Sequence, residues 1–425
     1  MLLGQQPCPE CEPAQVNHFV IRTGSYLGLV LKPLLRPLDF FFQRAVPNRS
    51  FAWFDIAGPL VIRTFSALRI GRLLSEIKDD DSDRTKALWT EAKRRGIDMR
   101  QYRCGAIKDL FIAKHGGVTR CFDGLPRPRG PEADSLYWMD NKPVMRTRFA
   151  EAGIPIAKGA SVWSEEEGVE VFMRLQKPVI TKPHTGSRSR HTTIHLSDEG
   201  VFRKAFRSAK VLSPKVLIEE ELEGFVFRGT LIGGKLQAVL RREPPHVIGD
   251  GTHTIRELVE NENMRSERSR PKVEDPRFSK AESGHTKTFH PIATGTEAEQ
   301  ELVRQSLTWE SIPAKGVFVP LSQKISRGIG ASNTDVSDDM HPDNRALLEK
   351  IGALLRDPLV GVDFIMKDVA VPWHAEPRCG VIECNSLPFI DLHHYPLNGK
   401  PRNVAGALWD LIYPQSDTNT EITSE

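Results

Sequence analysis

Apolar positions along the chain switch between a three-to-four-residue repeat and short β-branched runs, the pattern of a mixed α/β protein. Arg84 to Gly96 reads as a helix, with Leu88, Trp89 and Ala92 on its apolar side and Gly96 as its C-cap. Ile97 to Tyr102, Asp109 to Ala113 and Val118 to Phe122 read as short strands, with a turn at Gly116-Gly117. Together they predict a small α/β unit ending near Gly130. The signals strengthen from Asp140. Lys142 to Gly153 and Ser197 to Ser208 predict helices, and Val179 to Lys182 and Val216 to Glu219 predict strands. Gly224 to Val239 holds two strands joined at Gly233-Gly234, a hairpin turn. Thr254 to Glu260, His341 to Leu355 and Val404 to Ile412 predict helices; Val360 to Met366 and Cys379 to Cys384 predict buried strands.

These elements divide the chain. Residues 1–80 mix apolar clusters with Arg and Pro and are expected to form an N-terminal extension packed on the rest. Their alternating Arg, Phe and Leu leave a membrane-surface or partner-docking segment as the alternative. The polar run Lys78 to Asp83 marks a boundary. A small α/β domain over 84–134, a larger one over 136–414 and a disordered tail over 415–425 follow. Residues 261–284 are charged and poor in apolar side chains, so a mobile loop is expected there. Its Arg265, Arg268, Arg270, Lys272, Arg277 and Lys280 keep a lid solvated or attract an acidic substrate.

Composition changes this picture little. The 425 residues are 39% hydrophobic and 27% charged, ordinary for a soluble globular protein. A net charge of +3 gives no case for nucleic-acid binding. Six cysteines do not suggest a disulfide framework in a chain this long. Cys8 and Cys11 form a C-x-x-C, half a zinc site or a redox pair, but a metal needs four ligands and only two are evident. Free cytosolic thiols are therefore expected. No secretory pattern stands at the N-terminus, and no apolar run reaches the ~20 residues of a membrane span. A cytoplasmic protein is expected.

The chemistry centres on Asp363 in Gly361-Val362-Asp363-Phe364-Ile365 and on Glu383 and Asn385 in Val381-Ile382-Glu383-Cys384-Asn385. Neither acid has a Lys or Arg within its own strand, and an unpaired buried carboxylate is costly. A divalent cation removes that cost, and Mg²⁺ (or Mn²⁺) suits three oxygen ligands. Glu383 and Asn385, two apart, share a strand face. The alternative is a buried hydrogen-bond cluster or solvent-facing acids at strand ends. Lys142 and Lys182 sit on separate rigid elements and can clamp a polyphosphate as point charges, or be surface lysines. Val216 to Gly224 runs an apolar strand into four acids, a hinge able to read adenine or a solvated turn.

The order of these pieces, Lys, Lys, strand–Glu, then Asp and Glu-x-Asn, resembles the ATP-grasp superfamily. Within it, the chain looks like the ATP-grasp domain of cyanophycin synthetases and related glutathione-synthesising ligases. The likeness spans roughly residues 84–414. It rests on Lys142 to Ile156, Val179 to Pro183, Ala238 to Ile255, Thr334 to Asp338, Glu383 to Asn385 and Gly399 to Val404. It implies two α+β subdomains clamping ATP behind a small α/β domain. It also implies a carboxylate–amine ligase working through an acyl phosphate, with small-molecule or peptide carboxylate and amine substrates and a homodimer left open.

By position, the resemblance gives Lys142 and Lys182 to the ATP phosphates, with Arg188 and Arg190 as charged helpers in the covering loop. Glu219, Glu220, Glu221 and Leu222 fall to adenine, and Asp363, Glu383 and Asn385 to the metal. Arg241 or Arg242 falls to the acyl phosphate, with Arg228 as a helper; strand alternation lets only one of the adjacent pair face the site. Three departures stand out. Ser189 and His191 replace glycines of the covering loop, and Phe225-Val226 replace the usual ribose-binding acid, leaving Glu221 or Glu223 to substitute. Pro388-Phe389 replaces Pro-Gly, so Phe389 is expected to reshape the acceptor pocket. No second, murein-ligase-like half is evident, so full cyanophycin synthesis is not implied. The alternatives are an ATP-binding protein without ligase activity and a ligase acting on a peptide or protein docked by residues 1–80.

Overall fold

A computed structural model describes residues 8, 11, 16–45, 54–78, 80–105, 107–129, 138–139, 142–184, 190–269, 289–325 and 327–414. The chain opens with helices α1 (His18–Ala45) and α2 (Phe54–Ala67). β1 (Arg72–Leu74), α3 (Asp83–Arg94), β2 (Asp98–Cys104), β3 (Ile107–His115) and β4 (Val118–Asp123) follow. The four strands form an antiparallel meander in the order β1-β2-β3-β4. Ser82 starts α3 by accepting the Thr85 amide, as an N-cap should. Leu73 pairs with Tyr102, so this sheet begins before residue 84 and spans the polar run that suggested a boundary.

The next elements are α4 (Lys142–Glu151), β5 (Gly159–Val162), α5 (Glu165–Arg174), β6 (Val179–Pro183), β7 (Thr193–Leu196), α6 (Glu199–Lys210) and β8 (Val216–Glu220). Strands β5-β8-β6-β7 make a second antiparallel sheet. Helices α5 and α6 cover one side of it, where Phe172, Phe202 and Phe206 pack on Val179, Val216 and Ile218. Alternation sends Ile180, Lys182, Leu217 and Glu219 to the uncovered side.

The remaining chain comprises β9 (Phe225–Ile232), β10 (Lys235–Glu243), β11 (His246–Ile248), α7 (Ile255–Asn263), α8 (Ser266–Ser269), α9 (Thr296–Arg304), β12 (Phe318–Pro320) and β13 (Ser332–Asp335). It ends with α10 (Pro342–Leu355), β14 (Leu359–Met366), β15 (Gly380–Asn385), α11 (Asp391–His394) and α12 (Val404–Ile412). The central sheet runs β13-β10-β9-β14-β15, all antiparallel. Gly233 and Gly234 both take positive φ, which the tight β9–β10 hairpin requires. One face packs Phe227, Val239, Val362 and Phe364 against α4 and α10. The other packs Ala238 and Leu359 against α3, α12 and the meander, where Trp409 donates to the Leu88 carbonyl at 3.0 Å. This second face is apolar at one end only, and its other end holds the charged site.

Two expectations need correction. Residues 261–263 end α7 and 266–269 form α8, joined by Met264-Arg265, so this stretch is largely helical; the rest of the expected lid, 270–284, lies outside the described residues. Arg268 is buried, donating to Glu262 and to the carbonyls of His290 and Gly330, each at 2.9 Å. Its charge stays inside because Glu262 pairs with it and two backbone carbonyls accept from it. The expected disordered tail, 415–425, also lies outside the described residues. Among the described residues no helix is long and apolar enough to cross a membrane.

Candidate functional site

The polar end of the central sheet is built by register. Asp363 on β14 lies opposite Glu383 on β15, and Gly361 lies opposite Asn385. Paired residues share a face, so Asp363, Glu383 and Asn385 point the same way. Asn385 Nδ2 donates to Glu383 Oε1 at 3.1 Å. On the other flank, Asp363 lies opposite Arg228 of β9. The Arg228 guanidinium grips both carboxylate oxygens, with Nη2 2.5 Å from Oδ2, and both side chains are buried.

Asp363 is therefore not an unpaired buried carboxylate. Its partner comes from the neighbouring strand, 135 residues away in the chain, where inspection of its own strand misses it. Burial works against the Arg228 charge, but Asp363 and then Glu383 outweigh it and raise its pKa. The three oxygen side chains still suit a divalent cation. A carboxylate offers about four lone-pair directions, so Asp363 can accept Arg228 and present oxygen to a metal as well.

The adjacent arginines separate by face, as alternation requires. Arg242 lies opposite Val226, on the Arg228 side, with Nη1 3.9 Å from Asp363 Oδ2. Arg241 points to the other face, over the Phe225 ring at 5.0 Å and paired with Glu243 at 2.9 Å. Pro388 lies against Gly361 beside Arg228, where a Cβ on Gly361 would come within 2.9 Å of it. Phe389 next to it is exposed.

The second sheet places Lys182 and Glu219 on its uncovered side, and they are ion-paired. Arg146 of α4 reaches the same carboxylate, so buried Glu219 sits between two cations. Burial lowers the Arg146 pKa. Lys182 thus shares its charge with Glu219 and is not a bare point charge. The carboxylates after β8 are also engaged. Glu220 accepts the Gln176 amide at 3.1 Å, Glu221 holds the His195 amide at 2.6 Å and its ring at 2.7 Å, and Glu223 pairs with Lys367 at 2.7 Å. Leu222 packs near Gly380. The backbone of this hinge is fastened to the central sheet. Arg378 donates to the carbonyls of Glu221, Lys177 and Pro178, and the Val381 amide donates to Pro155. The side chain of Lys142 and all of Arg188 lie outside the described residues; Arg190 is half-buried after that gap.

Two runs that carried the resemblance meet in space. Arg402 pairs with Asp335 at 2.6 Å and Asp338 at 3.0 Å, and Lys400 pairs with Asp338 at 2.6 Å. Beside them is an open cavity of about 430 Å³, lined by His246, Asn261, Glu262, Arg265, Ser332 and Asn398 among others. This cavity is not legible in the sequence, because its lining comes from four separate stretches of chain.

No protein-family model matches the chain. Cyanophycin synthetase of Crocosphaera subtropica is 30% identical over 441 residues, covering 95% of this chain and 48% of that protein. The glutathione biosynthesis bifunctional protein of Mannheimia succiniciproducens is 30% identical over 345 residues, covering 78% of this chain and 42% of that protein. The crystal structure of a bifunctional glutathione synthetase from Pasteurella multocida superposes with a TM-score of 0.56 at 24% identity, over 79% of this chain and 43% of that one. The chain has the ATP-grasp fold. The β5-β8-β6-β7 sheet and the central sheet are joined at the hinge described above. This ATP-grasp chain spans less than half the length of the curated relatives quoted.

Proposed function

We propose that the protein is an ATP-dependent carboxylate–amine ligase. The observation that supports this best is the convergence of Asp363, Glu383 and Asn385 with Arg228 and Arg242 on one sheet face. Relatives that include a cyanophycin synthetase and a glutathione biosynthesis protein support the same reading. A substrate carboxylate oxygen attacks the γ-phosphorus of ATP, and ADP leaves. An amine nitrogen then attacks the acyl carbon, phosphate leaves, and the amine proton passes to solvent. Asp363, Glu383 and Asn385 hold Mg²⁺, which neutralises phosphate charge when bound. Arg242, with Arg228 buttressing Asp363, stabilises the oxygens that become negative. Lys182 and Lys142 contact phosphate, and the hinge backbone from Glu220 to Leu222 faces adenine. The polar cavity beside Ser332 receives one organic substrate, since Asn333 next to it pairs with Arg242 across β13 and β10. The expected setting is the cytoplasm.

Phosphate release, screened over carboxylates paired with amines, tests this. Turnover should require ATP, Mg²⁺ and a carboxylate, and amide product should require the amine. Glu383→Gln should lower turnover at least a hundredfold with ATP affinity changed far less. ATP binding without carboxylate-dependent hydrolysis for any pair would favour a nucleotide-binding protein that is not a ligase.

A further inference from the structure

We propose that Cys8, Cys11, His18 and His191 form a tetrahedral zinc site that fastens the start of α1 to the β6–β7 connection. The four ligand atoms lie within 4.8 Å of one another. Cys11 Sγ is 3.3 Å from His18 Nε2 and 3.6 Å from His191 Nε2, and Cys8 Sγ is 3.5 Å from His191 Nε2. With Zn–S of about 2.3 Å and Zn–N of about 2.05 Å, a tetrahedron has S···N edges of about 3.6 Å. These three S···N separations match that edge to within about 0.3 Å. The His18 and His191 rings stand at 83° to each other, so their nitrogens approach one point from different directions.

The surroundings suit a metal. The Cys11 amide donates to the Cys8 carbonyl at 3.0 Å, which holds the two cysteines close together. His191 Nδ1 meets Ser208 Oγ of α6 at 3.0 Å, which orients the ring and leaves Nε2 for the ion. His191 holds a left-handed φ of 51°, a conformation uncommon for residues with side chains, though less so for histidine. Cys11 and His191 are buried. Two thiolates and two neutral imidazoles around Zn²⁺ sum to zero charge, so the site can be buried without stranding net charge. Two soft sulfurs and two imidazoles in a tetrahedron select zinc over magnesium or calcium. Binding releases the two thiol protons.

None of the four ligands lies on the central-sheet face described above, and zinc ligation accounts for a histidine at 191, where the resemblance leads one to expect glycine. It ties Cys8, Cys11 and His18 to His191 in the connection that follows β6.

The test is metal analysis of the tag-free full chain purified under reducing conditions, followed by chelation and reloading with cobalt(II). One zinc per chain is expected, with a cobalt spectrum showing thiolate charge transfer and the strong visible bands of tetrahedral geometry. Cys11→Ser and His191→Ala should each weaken zinc binding at least tenfold, and Cys104→Ser should leave it unchanged. The cobalt spectrum of the unmutated chain decides the case even where a variant fails to fold. A weak octahedral spectrum, zinc content no higher than in a Cys8→Ser/Cys11→Ser chain, or zinc retained in His191→Ala would each overturn the proposal.

Discussion

The Arg228–Asp363 pair makes a quantitative prediction. Both residues are 3% exposed, and Arg228 Nη1 is a buried donor with no partner among the described residues. Breaking a buried pair from one side typically costs 3–5 kcal/mol, because a charge is left without compensation. Arg228→Met leaves Asp363 facing Arg242 at 3.9 Å, which retains part of the attraction. The expected loss is therefore near the low end, about 3 kcal/mol. Asp363→Leu strands Arg228, leaving Glu383 as the carboxylate acting on it among the described residues, and about 4 kcal/mol is expected. Replacing both with apolar side chains removes both charges together and is often close to neutral. The double variant should then be more stable than the sum of the single losses predicts by roughly 3 kcal/mol or more. Urea unfolding of the four proteins, followed by tryptophan fluorescence, measures this coupling. Losses that add to within ~0.5 kcal/mol would refute the reasoning, since they would mean the two charges do not depend on each other.

Other substitutions test separate parts of the structure. His393 is fully buried with Nε2 2.7 Å from Thr230 Oγ1; burial first, then the Arg228 charge, hold its pKa down to about 3. His394 and Arg402 push the same way and Asp391 the other. The unfolded chain takes this proton near pH 6.5, so stability intact above that pH should fall by about 1.4 kcal/mol per unit on acidification towards 3. His393→Gln should flatten the urea midpoint between pH 6.5 and 4.5, and an unchanged slope would count against burial as the cause. Gly224→Ala should destabilise by more than ~2 kcal/mol, because φ is 116° and a Cβ would come within 2.1 Å of the Met366 carbonyl oxygen; a melting temperature within a degree of the parent would contradict that geometry. Arg242→Ala should lower ligase turnover at least tenfold more than Arg241→Ala, measured by phosphate release. Equal effects would mean that the face assignment does not govern the chemistry.

Much of the fold was legible because its signals are local. Val404–Ile412 is read from its own apolar pattern and is found with those bounds. The β9–β10 hairpin is read from two adjacent glycines, both of which take the required positive φ. Elements with weak local signals escaped. β5 has four residues including a glycine, β11 and β12 have three residues each, and β13 reads Ser-Asn-Thr-Asp. These are strands by pairing: β5 along β8, β11 with β12, β13 along β10. Pairing is a long-range fact that propensity does not contain. The limit placed at residues 78–83 failed similarly, since β1 joins the meander only through β2.

The site divides on the same line. Residues sharing one strand could be placed from sequence, because a spacing of two fixes a common face; hence Glu383 with Asn385, and one of Arg241 and Arg242 directed each way. Partners across strands could not. The premise that Asp363 lacks a cation fails through Arg228, and the view of Lys182 as an independent charge fails through Glu219 and Arg146. The cysteine pair is the sharpest case. Counting ligands along the sequence stops at Cys8 and Cys11, since one missing partner is seven residues on and the other 180. A histidine at either distance is unremarkable in a linear reading. Only the fold places both beside the same two sulfurs, at the separations a tetrahedral ion needs. A C-x-x-C without a second C-x-x-C is therefore weak evidence against a metal whenever a distant loop can return to it.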